Sequence, residues 1–280
     1  MLHDTNDKTV RFHFDSLQEL QRHIDDTPRT WRAKYSMSDS ETSENWDLNA
    51  GYRGALKLAR EGWQSGAEKL AAGLLRLPAL KSTPRTTYGV AGTRPHIGRY
   101  ASGVDACMIR RSNDAQRSQR PVITLAVPVN ATADIKASAM SNYGLAIARY
   151  IDELEAGGQR VELVAAIVSI VSGKRLVHSW TVKHASEHMD FATVAFSLGH
   201  PAMFRRLGFA LRERSPVRED SGYGMSQDLR LSDLIDCERG TIILNGMKNA
   251  NAIAYNPDKA LENVGRQIQA ALDDPEAASA

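Results

Sequence analysis

Hydrophobic positions along the chain switch between a period of two and a period near 3.6, and each switch marks an element. Residues 9–14 alternate and predict a short strand, and Ser16 with Glu19 forms an S-x-x-E capping box that opens a helix running to about Asp26. Residues 27–45 break the pattern: they are polar, with Trp31 and Tyr35 as their sizeable apolar anchors, and they predict a long connecting loop. Beyond Ala50, the residues Tyr52, Ala55, Leu56 and Ala59 share one helical face up to Gly62. A second helix from about Gln64 carries Ala67, Leu70, Ala71, Leu74 and Leu75 to Pro78. A helical hairpin is expected there.

Residues 122–129 predict a strand, followed by a helix over about 137–156 with Gly157 and Gly158 as its stop signal. Residues 160–171 are apolar on both alternating faces: Val161, Leu163, Ala165 and Ile167 against Val164, Ala166, Val168 and Ile170. Such a strand sits centrally in a sheet, covered on both sides. Ser172 and Gly173 turn the chain into residues 175–183, its expected hairpin partner. Helices are predicted over 187–197 and 201–213, the second with Pro201 in its first turn. A short strand at 241–244 and a closing helix from Pro257 to about Leu272 precede an acidic tail, 273–280, that is expected to fray. The sum is one α+β domain over residues 1–280, with a mixed, mainly antiparallel sheet and helices packed on it.

Composition narrows the class. With 280 residues, 42% hydrophobic and 24% charged, the chain has length and apolar content for a large core. No stretch approaches the roughly 18 uninterrupted apolar residues of a membrane helix, and the first ten residues are polar and of mixed charge. A cytosolic protein with no membrane partner is expected. Two cysteines, Cys107 and Cys237, exclude a disulfide framework and a four-cysteine zinc site, and buried free thiols are expected instead. No fixed-period repeat appears.

Charge changes the picture more. The net charge is only +2, yet 25 of the 35 basic residues are arginine, the residue suited to planar partners such as phosphate. Nine basic residues fall between Arg76 and Arg120 against two acids, Asp105 and Asp114. They are Arg76, Lys81, Arg85, Arg94, Arg99, Arg110, Arg111, Arg117 and Arg120. The segment at about 76–120 is rich in Gly, Pro and Thr, and no long regular element is expected over 81–98. Tyr88, His96 and Tyr100 lie among the cations, and Gly89, Gly92, Gly98 and Gly103 would admit close backbone approach. Spaced cations with interleaved flat side chains are what a single nucleic-acid strand requires, for its phosphates and its unstacked bases. Charge alone fits equally a solvated loop whose arginines pair with the acidic N-terminal region.

A second basic group, Arg205, Arg206, Arg212, Arg214 and Arg218, has Glu213 as its one acid. Arg205 and Arg212 are seven apart and share a helical face, so the group would extend the same phosphate track, with Tyr223 nearby. Arginines in a last helical turn also meet the helix dipole favourably, which explains part of the cluster without any ligand.

The most enzyme-like string is His184-Ala185-Ser186-Glu187-His188, an H-x-x-E-H pattern of the inverted zinc peptidases, with Glu262 as a candidate distant ligand. That chemistry needs the string inside a helix, and here it falls where a strand ends and a helix only begins. Gly173-Lys174 lacks the upstream glycine and following Ser or Thr of a phosphate loop, and residues 51–66 contain no G-x-G-x-x-G. Residues 195–199 resemble a relaxed nucleophile elbow around Ser197 with no strand leading into it. No cofactor is implied by any of these.

Three blocks carry a resemblance: residues 46–66 (WDLNAGYRGALKLAREGWQSG), 92–108 (GTRPHIGRYASGVDACM) and 142–163 (NYGLAIARYIDELEAGGQRVEL). Their order and character resemble the single-stranded-DNA-binding transcription regulators of podoviruses that carry a virion RNA polymerase. The resemblance implies a non-enzymatic, non-OB protein in the cytoplasm of an infected bacterial host. It would engage single-stranded DNA without strong sequence preference and recruit a phage RNA polymerase, and a homo-oligomer is compatible with it. It supplies no residue-level site, so the arginines above stand on charge and spacing.

Overall fold

The computed structural model describes residues 1–6, 8–31, 35–38, 42–74, 86–92, 94–111, 122–217, 225–235, 241–247 and 256–273. Strand β1 (Leu2–Thr5) pairs antiparallel with β2 (Thr9–Phe14), and α1 (Leu17–Asp26) follows. The helix starts as the sequence predicts: the Ser16 hydroxyl accepts the Glu19 N–H at 3.2 Å, while the Glu19 carboxylate reaches back to the Asp15 N–H at 2.7 Å. The polar stretch after it holds two short pieces, a 3₁₀ turn at Tyr35–Met37 and α2 (Glu44–Asp47). Helices α3 (Gly51–Glu61) and α4 (Gln64–Leu74) form where expected, broken at Gly62, whose φ of 74° suits glycine, but they do not pack along each other as a hairpin: α3 lies against α1 and the turn at 203–208, and α4 against the helices over 137–156 and 191–199. Three short strands, β3 (Thr86–Gly89), β4 (Arg94–Pro95) and β5 (Met108–Arg111), enclose a five-residue helix, α5 (Ile97–Ala101).

The main sheet is completed by β6 (Val122–Pro128), β7 (Arg160–Val171), β8 (Lys174–Lys183), β9 (Met225–Ser226) and β10 (Ile242–Ile243), with α6 (Ala137–Ala156) between β6 and β7. Its order is β1-β2-β8-β7-β6-β10, with β9 also on β7. The fold is α+β with a mixed sheet. Its pairings divide evenly: β1–β2, β7–β8 and β7–β9 run antiparallel, while β2–β8, β6–β7 and β10–β6 run parallel. The parallel β6–β7 pair is joined through α6, as such a pair requires.

Strand β7 is central and covered on both faces. Val161, Leu163, Ala165 and Ile167 enter the large core with Phe14, Leu20, Ile147 and Phe196, whereas Val164, Ala166 and Val168 pack with Ala126, Val177, Leu229 and Leu234. The β7–β8 hairpin turns at Ser172 (φ 49°) and Gly173 (φ 76°). Helix α7 (Phe191–Gly199) starts four residues later than the periodicity suggests, because the Asp190 carboxylate caps it by accepting from the N–H groups of Ala192 and Thr193. A wide π turn at Met203–Gly208 then runs into α8 (Phe209–Arg212), and α9 (Pro257–Asp273) closes the described chain against α6. Among the described residues, no helix is long and apolar enough to cross a membrane.

Candidate nucleic-acid interface

Residues 86–111 form a small antiparallel sheet of order β3-β5-β4, separate from the main one. Its local chemistry explains why so short a sequence holds together. The His96 N–H donates to the Cys107 carbonyl at 2.7 Å, and His96 Nδ1 accepts the Arg99 N–H at 3.2 Å, starting α5. The Arg99 guanidinium lies 4.6 Å from the Tyr88 ring centroid, and its Nε donates to the Ala106 carbonyl at 3.0 Å. His96 meets the same tyrosine ring edge-on at 5.2 Å. Gly92 is needed where the strand edges close, since a Cβ there would stand 2.4 Å from the Ile109 carbonyl oxygen.

None of the described side chains between 88 and 109 is buried. Tyr100 is 72% exposed, Ile97 81% and Val90 80%, and Arg94 is exposed beside them on β4. No ion pair engages Arg94 or Arg99 among the described residues. Cys107, expected to be buried, is half-buried just before β5, and Cys237 lies outside the described residues. Tyr88 and Arg99 therefore come together, Arg94 and Tyr100 lie in the same small unit on β4 and α5, and Arg110 and Arg111 lie on β5, paired with Thr87 and Thr86 of β3. Lys81, Arg85, Arg117, Arg120 and Arg218 lie outside the described residues. Val90 and Ile97 carry no charge signal; what marks them in the sequence is an apolar residue with no periodic partner inside a Gly- and Pro-rich stretch.

The second basic group is not an extension of this surface. Arg205, Arg206 and Arg212 are fully buried and Arg214 half-buried, the reverse of what a phosphate track needs. Arg206 pairs with Asp47 at 2.7 Å and donates to the Ser38 carbonyl at 2.6 Å and Thr42 Oγ1 at 2.9 Å. Arg205 stacks on Trp46 at 4.1 Å and donates to the Trp46 and Ile135 carbonyls. Arg212 lies over Phe204 at 5.3 Å, and Arg214 donates to the Ile24 and Ala210 carbonyls. Arg205 and Arg206 thus bind the polar segment before α3 to the core. Their positions correct the expectation of a shared helical face on the surface, because the π turn buries all six of its residues in succession.

The H-x-x-E-H string is a turn, not a helix. The His184 N–H donates to Glu187 Oε2 at 3.1 Å, both side chains and that of His188 are exposed, and the helix begins only at Phe191. With Glu155, Gln159 and Arg160, residues 185–188 border an open hollow of about 330 Å³. No group of three or more His, Cys, Asp or Glu side chains among the described residues is placed to hold a metal. Ser197 is buried inside α7, which removes the nucleophile-elbow alternative.

No curated protein and no solved structure matches this chain. A family model matches residues 3–269, nearly the whole length, and the chain therefore belongs to the family described as a domain of unknown function, DUF7192.

Proposed function

We propose that the protein is a non-enzymatic single-stranded-DNA-binding protein that engages the strand through residues 86–111. The observation that carries this is the exposure of Arg94 on β4 and Tyr100 on α5, in the same small unit as the Tyr88–Arg99 stack, among whose described side chains none is buried. A cation beside an open aromatic face suits a phosphate next to an unstacked base, and neither contact depends on base identity. The affinity is accordingly expected to be insensitive to sequence and sensitive to salt. The place of this activity in phage transcription, in the cytoplasm of an infected host and with recruitment of a phage RNA polymerase, rests on the sequence resemblance alone.

Fluorescence anisotropy with labelled oligonucleotides tests the proposal. Single strands are expected to bind more tightly than the matching duplex, with affinity falling steeply as salt rises. An affinity no higher for the single strand than for the duplex overturns it.

A further inference from the structure

A second feature lies elsewhere in the fold, on α4, α6 and α9. Between these helices lies an open-sided cavity of about 280 Å³ lined by Lys69, Leu70, Asn142, Leu145, Arg149 and Leu261, with Ala146 and Pro257 beside them. Its apolar lining is aliphatic; among the described residues its charged groups are both cations and no carboxylate lines it. Lys69 is exposed on α4, with its ammonium 5.6 Å from the Trp63 ring centroid. Arg149 Nε is buried and makes no hydrogen bond. Glu153, one turn further along α6, feels the Arg149 charge but stays outside the cavity wall. A buried N–H on a charged group carries an uncompensated desolvation cost, and an anionic acceptor would remove it.

From this we infer that the cavity is a binding site for a small amphipathic carboxylate. The carboxylate lies between Arg149 and Lys69, and a short aliphatic chain lies against Leu70, Leu145 and Leu261. The volume lies just below the range of about 300–1,000 Å³ typical of ligand sites, which favours a chain of medium length over a long acyl tail. Arg149 fixes the headgroup through hydrogen bonds, and Lys69 adds charge without a fixed geometry. The inference is independent of the DNA-binding proposal and concerns other residues.

Isothermal titration of the full-length protein with octanoate, and separately with octan-1-ol, tests it. Octanoate is expected to bind saturably with one site per chain, and octan-1-ol at least about tenfold more weakly, the loss associated with one charge-assisted hydrogen bond. Arg149→Gln should weaken octanoate about tenfold and leave octan-1-ol unchanged. Lys69→Gln, at an exposed position that does not endanger folding, should weaken octanoate by a smaller factor. Equal affinity for acid and alcohol, wild-type octanoate affinity in both variants, or no saturable binding each overturns the inference.

Discussion

Arg206 and Asp47 form an ion pair of 2.7 Å in which both side chains are fully excluded from solvent. The pair ties the π turn after α7 to the four-residue helix α2, and Asp47 also accepts from the Ser43 and Gly51 N–H groups. A single carboxylate thus neutralises a buried guanidinium and caps the start of α3. Removing one member of a buried pair strands the other charge, at a cost of about 3–5 kcal/mol. Asp47→Ala is therefore expected to lower the unfolding free energy by about that amount in urea titrations, with the earliest amide exchange in residues 42–50. A loss below about 1 kcal/mol would show that the pair is not desolvated as described.

The exposed arginines should behave in the opposite way. Arg94→Ala is expected to weaken single-stranded DNA binding and to reduce the slope of log K against log salt by about 0.7, the share of one phosphate contact, with the melting temperature unchanged. Tyr100→Ala should cost about 1–3 kcal/mol of binding if a base stacks on it. Arg99→Ala is a poorer probe, because Arg99 also stacks on Tyr88 and bonds the Ala106 carbonyl within the small sheet. Anisotropy titrations at several salt concentrations separate these outcomes; unchanged slopes for Arg94→Ala would remove it from the interface.

This contrast marks where sequence reasoning reached and where it stopped. Strand β7 was legible because burial on both faces leaves residues 163–168 apolar without a break, and α6 because Gly157 and Gly158 end a helical period. The Ser16 cap was legible because capping is local chemistry. Arg205 and Arg206 were not, since charge counts carry no information about burial, and their partners lie about 160 residues away in sequence. The parallel pairing of β2 with β8 is equally long-range: the register Thr9 to Arg175 follows from no local pattern. The small sheet escaped because its strands, at two to four residues, are too short to show a period.

Acid should weaken the fold before most carboxylates titrate. Burial lowers the pKa of His178 to about 3, helped by repulsion from Arg212, and burial lowers that of His200 to about 4. Both folded values lie below the unfolded value of about 6.5, so the unfolded chain takes up protons that the folded chain refuses. Their stabilising effect is complete above pH 6.5 and declines as pH falls toward the folded values, by up to about 1.4 kcal/mol per pH unit for each histidine. His178 stacks on Phe12 at 5.1 Å with nearly parallel rings, so His178→Phe preserves the packing while removing one titration. Urea unfolding at pH 7 and pH 5 is expected to show a smaller drop for this variant than for the wild type. An equal drop would place the acid sensitivity elsewhere.

Helices α6 and α7 approach each other closely at Gly144, where a Cβ would stand 2.3 Å from both the carbonyl carbon and oxygen of Leu198 and 2.4 Å from Gly199 Cα. All three are backbone atoms, so no side chain can rotate away, and the helices themselves must separate. Helix propensity favours alanine over glycine by about 1 kcal/mol, which would make Gly144→Ala stabilising in an isolated helix. Overpacking against rigid backbone outweighs that gain, since inserted methyl groups in tight cores cost about 1–3 kcal/mol even where neighbours relax. Gly144→Ala is therefore expected to lower stability by about 2 kcal/mol or more, while Gly173→Ala, at a turn with open space and a φ of 76°, should cost less. Thermal denaturation of the two variants side by side checks the ranking, and a Gly144→Ala protein as stable as the wild type would mean that α6 and α7 do not meet at this distance.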